Sequence, residues 1–221
     1  MRPRVIIIFG APGAGKSLQA GRLANKFNFF HLEASRWFEN LLRDPKSRTD
    51  PLLKKERKLY LEGELLTPSF VLRAIKKEIQ KVARLGFDLI LSGSPRTLYE
   101  EEGLMPFLEK LYGRRSISII LLDVPVAVSL KRNGARLICS VCGANPINFP
   151  PQNPCPICGG KLGERPLDKP EVIKIRLGEY EKRTKPIFED LKKRGYKFIR
   201  IDGRPAPFMV FQTIAKKLGL K

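Results

Sequence analysis

The pattern of apolar and polar positions divides the chain into short strands and longer amphipathic helices. Val5-Ile6-Ile7-Ile8-Phe9 is an unbroken β-rich apolar run of strand length, of the kind buried in a parallel sheet. Phe29–Leu32, Leu89–Leu91, Ile117–Leu122 and Phe198–Ile201 read as further strands. Between them apolar residues recur at helical spacing, as in Leu18, Leu23, Ala24 and Phe27. The spacing predicts helices over about 18–27, 36–43, 53–62, 68–85, 99–112, 125–133, 170–194 and 206–218. Strands alternating with helices predict an α/β fold, a doubly wound parallel sheet flanked by helices.

Two stretches interrupt this rhythm. Residues 139–168 are rich in proline and glycine, hold all four cysteines and show no helical period, which marks an inserted lobe with its own means of stabilisation. A second insertion, helical and charged, spans about 33–67. No apolar run approaches the ~18 residues of a membrane span. The basic start Met1-Arg2-Pro3-Arg4 precedes an apolar run too short for a signal peptide, so a cytoplasmic protein with no membrane partner is expected.

The chemistry starts at the end of the first strand. Gly10-Ala11-Pro12-Gly13-Ala14-Gly15-Lys16-Ser17 fits G-x-x-x-x-G-K-[ST], between a strand and a helix as the motif requires. Glycines let backbone N–H groups turn towards phosphate oxygens, and the helix N-terminus adds partial positive charge. Lys16 can reach the β- and γ-phosphates, and Ser17 can offer its hydroxyl to Mg²⁺.

Cys139-x2-Cys142 and Cys155-x2-Cys158 form two pairs separated by twelve residues. Each pair can place two thiolates on one ion, giving a closed tetrahedral Cys₄ site for structural Zn²⁺. With no coordination position open, this metal is expected to hold the lobe together and to perform no chemistry. Redox-active dithiols and a vacant site are the alternatives. Clustering of all the cysteines in one lobe also argues for a reducing compartment.

Charge adds a further constraint. The 221 residues carry 42 Lys+Arg against 22 Asp+Glu, a net charge of +20. Such an excess favours phosphate-bearing partners, either nucleotides or nucleic acid, or else reflects a lysine-rich solvated surface. Phosphoryl transfer needs cations around the moving group. Arg96 follows the strand Leu89–Leu91, Arg132 and Arg136 lie a helical turn apart before the cysteine lobe, and Arg165 and Arg176 follow it. Arginines flanking both hinges of one lobe would converge when it closes.

Taken together these motifs resemble the adenylate kinase family of nucleoside monophosphate kinases, in its long-lid, zinc-bearing form. The resemblance rests on Gly10–Lys16, Gly63-Glu64-Leu65-Leu66-Thr67, Gly86-Phe87 leading to Gly93-Ser94-Pro95-Arg96-Thr97, Leu122-Asp123-Val124-Pro125, Arg132-x3-Arg136, the four cysteines, and Arg165 through Asp168-Lys169-Pro170-Glu171 to Arg176. It implies a five-stranded P-loop core (1–32, 67–134 and 169–221), an acceptor lobe (33–66) and a zinc-binding lid (135–168). It implies that MgATP lies on Gly10–Ser17, with Arg132 stacked on the donor base and Arg136 and Arg165 clamping phosphates. Arg96 and Arg176 would hold the acceptor phosphate, with Ala34, Arg36, Leu66, Gly93 and Glu100 also on the acceptor side. A monomer is expected, since two mobile lobes need room to close.

The acceptor half departs from the family. Ala34 stands where a base-contacting threonine or serine is usual, and Glu39 where an arginine grips the acceptor phosphate, leaving Arg36 and Arg43 as substitutes. Ser92 replaces an aspartate that helps hold Mg²⁺ through water. Glu100 replaces a glutamine that reads the adenine edge; an ionised carboxylate only accepts hydrogen bonds. The family implies AMP as acceptor, with CMP, GMP or a non-standard acceptor open. His31 is expected to be structural, and Trp37 and Phe38 to be packing residues. The rival readings are an RNA-associated P-loop protein with weak or absent kinase activity and an ATP-hydrolysing switch.

Overall fold

The structure is a computed structural model and describes residues 5–142, 154–164 and 166–220. Among these residues the strands are β1 (Val5–Gly10), β2 (Phe30–Glu33), β3 (Leu89–Ser92), β4 (Ile117–Asp123), β5 (Leu137–Cys139), β6 (Leu162–Glu164) and β7 (Phe198–Asp202). The α-helices are α1 (Lys16–Phe27), α2 (Ala34–Arg43), α3 (Pro51–Glu62), α4 (Pro68–Arg84), α5 (Leu98–Tyr112), α6 (Val126–Gly134), α7 (Pro170–Glu179), α8 (Pro186–Lys193) and α9 (Pro207–Leu218). Five strands form the expected parallel sheet, and their order is β2-β3-β1-β4-β7.

The central strand β1 is buried along its whole length, and its side chains alternate between two packing layers. Val5, Ile7 and Phe9 join Leu89, Leu91, Ile119 and Leu121 in a layer completed by α4, α5 and α8. Ile6 and Ile8 join Ile90, Ile120 and Leu122 against α1 and α9. With both faces covered by helices, a strand without polar alternation is the stable solution.

Local chemistry sets the helix ends. Asp50 caps α3, accepting from Leu53 N–H at 3.0 Å, with Pro51 in the first turn. Thr97 caps α5, accepting from Glu100 N–H at 3.2 Å. The single helix predicted over 170–194 is broken by a π-helical turn, Tyr180–Thr184, between α7 and α8. Pro186 has no N–H to give the carbonyl of Lys182, and its ring crowds that carbonyl. The backbone widens there, and Lys185 N–H bonds to Tyr180 O, five residues back, at 2.9 Å.

The cysteine lobe is closed at its base by the antiparallel pair β5–β6, with Leu137 opposite Glu164 and Cys139 opposite Leu162. Among the described residues its apolar cluster holds Cys139, Cys155 and Leu162, with Leu137 and Cys142 packed against it. Among the described residues no helix is long and apolar enough to cross a membrane.

Candidate functional site

The order of the sheet decides where a site can form. The chain leaves β1 for strands on one side and then returns to the other side through β4. Connections diverge at such a switch point, and a crevice opens beyond the strand C-termini. Gly10, Glu33 and Ser92 lie at those ends, with Glu33 and Ser92 directly opposite in register.

The phosphate loop turns from β1 into α1 at this edge. Gly15 occupies the N-cap of α1 at φ 97° with no side-chain cap, so the first-turn N–H groups stay available to an anion. Lys16 Nζ donates to Gly10 O at 2.7 Å and Ala11 O at 2.9 Å, which holds the ammonium over the loop. Burial pushes its pKa down to about 7, and the Arg96, Arg176 and Arg136 cations add to the shift; Glu33 opposes it. Ser17 is exposed in the first turn of α1.

Arg96 is fixed from three directions. Its N–H donates to Glu100 Oε2 at 2.9 Å, its carbonyl accepts from Thr184 Oγ1 at 2.9 Å, and its guanidinium donates to Ser35 Oγ at 2.6 Å. Gly93 lies close by at φ 81°, where a Cβ would stand 2.9 Å from Ser35 Oγ. Glu100 is buried, and Ser94 Oγ and Thr97 Oγ1 also reach its carboxyl, at 3.3 and 3.2 Å. Burial raises its pKa, while the Arg96 N–H pulls it the other way. The carboxyl therefore braces the turn that carries Arg96.

A second carboxylate gathers the arginines on the lid side. Asp168 is buried and receives Arg136 in a two-pronged ion pair, Nε–Oδ2 being 2.7 Å. Arg176 reaches the same carboxylate at 3.4 Å and donates to Leu167 O at 3.0 Å. One anion thus holds arginines from both sides of the lid.

Lys16, Arg96 and Arg176 line a single cleft. Gly10, Pro12, Ala34, Leu66, Gly93 and Glu100 also line it, and Phe38, Tyr60 and Val71 supply an apolar wall. Arg36, Arg132 and Arg136 are not among its lining residues. Arg36 donates to Cys142 O at 3.4 Å, so it bridges α2 to the lid. Arg132 donates to Arg204 O at 3.1 Å, beside the loop after β7. Glu39 pairs with Arg43 at 2.7 Å, which offsets the misplaced negative charge. Arg165 lies outside the described residues. His31 Nε2 lies 2.8 Å from Ser92 Oγ, and burial lowers the histidine pKa. Trp37 and Phe38 form an edge-to-face pair with centroids 4.9 Å apart.

Asp168, Ser35, Thr184 and Glu33 are additions to the set read from sequence. Asp168 stood within a matched motif, but its two arginine partners are 32 and 8 residues away, and spacing alone does not join them. The Thr97-x-x-Glu100 pattern was a local signal for the brace on Arg96, being the form of a helix capping box.

The cysteines suit a metal. All four Sγ atoms lie within 4.8 Å of one another, with 139–158 at 3.5 Å and 142–155 at 3.9 Å. None of the four is joined in a disulfide. Tetrahedral zinc at ~2.3 Å from each sulfur sets sulfur–sulfur edges of about 3.8 Å, so the set fits. A backbone N–H hydrogen bond from Cys142 is the main cause that lowers the Cys139 pKa to about 6, favouring the thiolate that a metal needs.

The family model described as Adenylate kinase matches residues 8–196. The chain is 36% identical over 196 residues to an adenylate kinase of Caldicellulosiruptor bescii, covering 86% of this chain and 87% of that protein. It is 32% identical over 219 residues to one of Clostridium botulinum, covering 97% and 98%. An adenylate kinase of Thermotoga neapolitana is also 32% identical over 219 residues, covering 97% and 96%. Likeness of this extent makes the chain a member of the adenylate kinase family, an enzyme that transfers phosphoryl groups between ATP and a nucleoside monophosphate.

Proposed function

We propose that the protein moves the γ-phosphoryl group of MgATP to AMP, yielding two ADP. The observation that carries this reading is the convergence of Lys16, Arg96 and Arg176 on one cleft with an apolar wall. Three cations there suit several phosphates in a row, and Phe38, Tyr60, Leu66 and Val71 suit a flat base beyond them. The relatives' shared name supplies adenine as that base.

In this reading the donor phosphates lie on Gly10–Ser17, under the N–H groups of the loop and the α1 N-terminus. Lys16 leaves the Gly10 and Ala11 carbonyls for the β- and γ-oxygens. Arg96 and Arg176 hold the acceptor phosphate in line, while Arg132 covers the donor base. Arg136 and Arg165 approach the phosphates as the lid closes. Rate enhancement comes from alignment, from neutralising charge on the equatorial oxygens and from excluding water, which would otherwise accept the phosphoryl group.

Mg²⁺ would arrive as MgATP and, when bound, would neutralise phosphate charge. Ser17 would take part in holding it. Glu33 is the carboxylate that acts on Lys16 from the sheet edge, and it faces Ser92 across β2–β3. It can replace the aspartate that Ser92 lacks. The core, acceptor lobe and lid would divide at about residues 33, 67, 135 and 169. Zinc in the four thiolates would add folding free energy to the lid, whose apolar cluster among the described residues is Cys139, Cys155 and Leu162. Available thiolates suit a reducing cytoplasm.

The test is an acceptor panel. MgATP is supplied with AMP, CMP, GMP, UMP and their deoxy forms, and ADP formation is followed. AMP should give the highest kcat/KM. Turnover with another base while AMP is inert would refute the acceptor assignment. Phosphate release from ATP without any acceptor would refute the transferase reading.

A further inference from the structure

Two side chains on α6 are polar where the packing is tight. Ser129 and Asn133, one helical turn apart, are 0% and 1% exposed. A buried helix face ordinarily presents apolar groups, and a buried hydroxyl or carboxamide is costly unless it is hydrogen-bonded. Neither residue lines the cleft.

Their contacts lead to the phosphate loop. Ser129 Oγ donates to the carbonyl of Pro12. Asn133 Nδ2 donates to the carbonyl of Ser129 at 2.8 Å. The same groups press on the next loop residue. A Cβ at Gly13 would stand 2.5 Å from Asn133 Nδ2 and 2.9 Å from Ser129 O. No side chain fits between loop and helix, and Gly13 takes φ 80° there, a conformation open to glycine. Asn133 Oδ1 is buried with no hydrogen-bond partner among the described residues, so the carboxamide is not fully satisfied for stability's sake.

An apolar pair would seal this contact without an orphan oxygen. What hydroxyl and carboxamide add is direction: a hydrogen bond fixes the carbonyl it binds, where dispersion contacts let it rotate. Fixing the Pro12 carbonyl fixes the peptide plane that contains the Gly13 N–H. α6 also carries Arg132, and its C-terminus leads through Arg136 into β5 and the lid. The helix is therefore placed to set the shape of the loop on one side and the start of the lid on the other.

We propose that Ser129 and Asn133 are positioning residues for the ATP side of the reaction: they lock the Pro12–Gly13 corner of the phosphate loop to the helix from which the lid hangs. The proposal rests on the reading of Gly10–Ser17 as the donor site. It assigns these residues no part in acceptor binding.

The experiment compares Ser129→Ala, Asn133→Leu and Ser129→Thr with the parent, as full-length zinc-loaded chains. Ser129→Ala removes one oxygen and is the change least able to disturb folding. KM is measured for ATP and AMP separately, and melting temperature is measured alone, with ATP and with AMP. Ser129→Ala and Asn133→Leu should raise KM for ATP about tenfold, the scale of one hydrogen bond, and shrink the melting shift given by ATP. KM for AMP and its melting shift should stay within about twofold. Ser129→Thr, which keeps the hydroxyl, should recover most of the ATP affinity. Equal changes for both nucleotides, or none for either, would show the pair to be packing only. If ATP fails to stabilise the parent, the donor-site reading falls and takes the positioning role with it.

Discussion

Lys16 links nucleotide binding to proton uptake. Burial and three neighbouring arginines hold its pKa at about 7 in the structure, against the usual 10.5. Phosphate oxygens favour the ammonium, so a bound triphosphate returns the pKa well above neutrality. At pH 7 about half of the free protein then carries a neutral Lys16, and binding takes up about half a proton. At pH 8 the uptake rises to about 0.9, and at pH 6 it falls to about 0.1. Apparent ATP affinity should fall about tenfold between pH 6 and pH 8 from this group alone. The ligand-free fold responds oppositely: a lysine pKa depressed on folding makes stability rise with pH between about 7 and 10.5. Calorimetric titration with a non-hydrolysable ATP analogue, in two buffers of different ionisation enthalpy, counts the protons. Lys16→Arg keeps the charge but does not titrate, so subtracting its proton count removes the nucleotide's own contribution. Equal counts in parent and Lys16→Arg at pH 8 would refute the reasoning.

Arg96→Ala should lower kcat/KM by at least ~10²-fold, on the scale of lost transition-state charge stabilisation; steady-state kinetics checks it, and near-normal turnover would remove Arg96 from the site. Chelation at neutral pH should release metal, measurable by elemental analysis, and lower the melting temperature; a zinc-free protein with an unchanged melting point would reject the metal site. Glu33→Gln should weaken Mn²⁺ binding in the presence of an ATP analogue about fivefold, read by electron paramagnetic resonance. Unaltered Mn²⁺ affinity would leave Ser92 without a replacement.

The three central strands were legible because they are buried on both faces. Val5–Phe9 needs no alternation, and neither do Leu89–Leu91 or Ile117–Leu122, so short apolar runs sufficed. The phosphate loop and the cysteine pairs were legible because their spacing is their chemistry. Other features depend on partners far along the chain. Strands β5 and β6 have three residues each, too few for a period, and pair across residues 140–161. Asp168 acquires its role from Arg136 and Arg176. Glu100 lines the cleft as expected for the acceptor side, and its carboxyl also receives hydrogen bonds from Ser94, Arg96 and Thr97, which spacing does not show. Arg36 looked like an acceptor ligand, and its guanidinium meets the carbonyl of Cys142. Sequence names a charged group; which neighbour claims it is settled by the tertiary fold.

The wide turn at Tyr180–Thr184 reconciles two demands on one stretch of chain. Ahead of it Arg176 must look into the cleft, and after it Ile187, Phe188 and Leu191 must seal the interior. Each residue of an ordinary helix advances about 100°, so one surplus residue swings everything downstream by roughly that angle. Thr184 then meets Arg96 while the following turn still fills the hydrophobic layer. Deleting a single residue here would force a choice between a well-placed arginine and a closed interior.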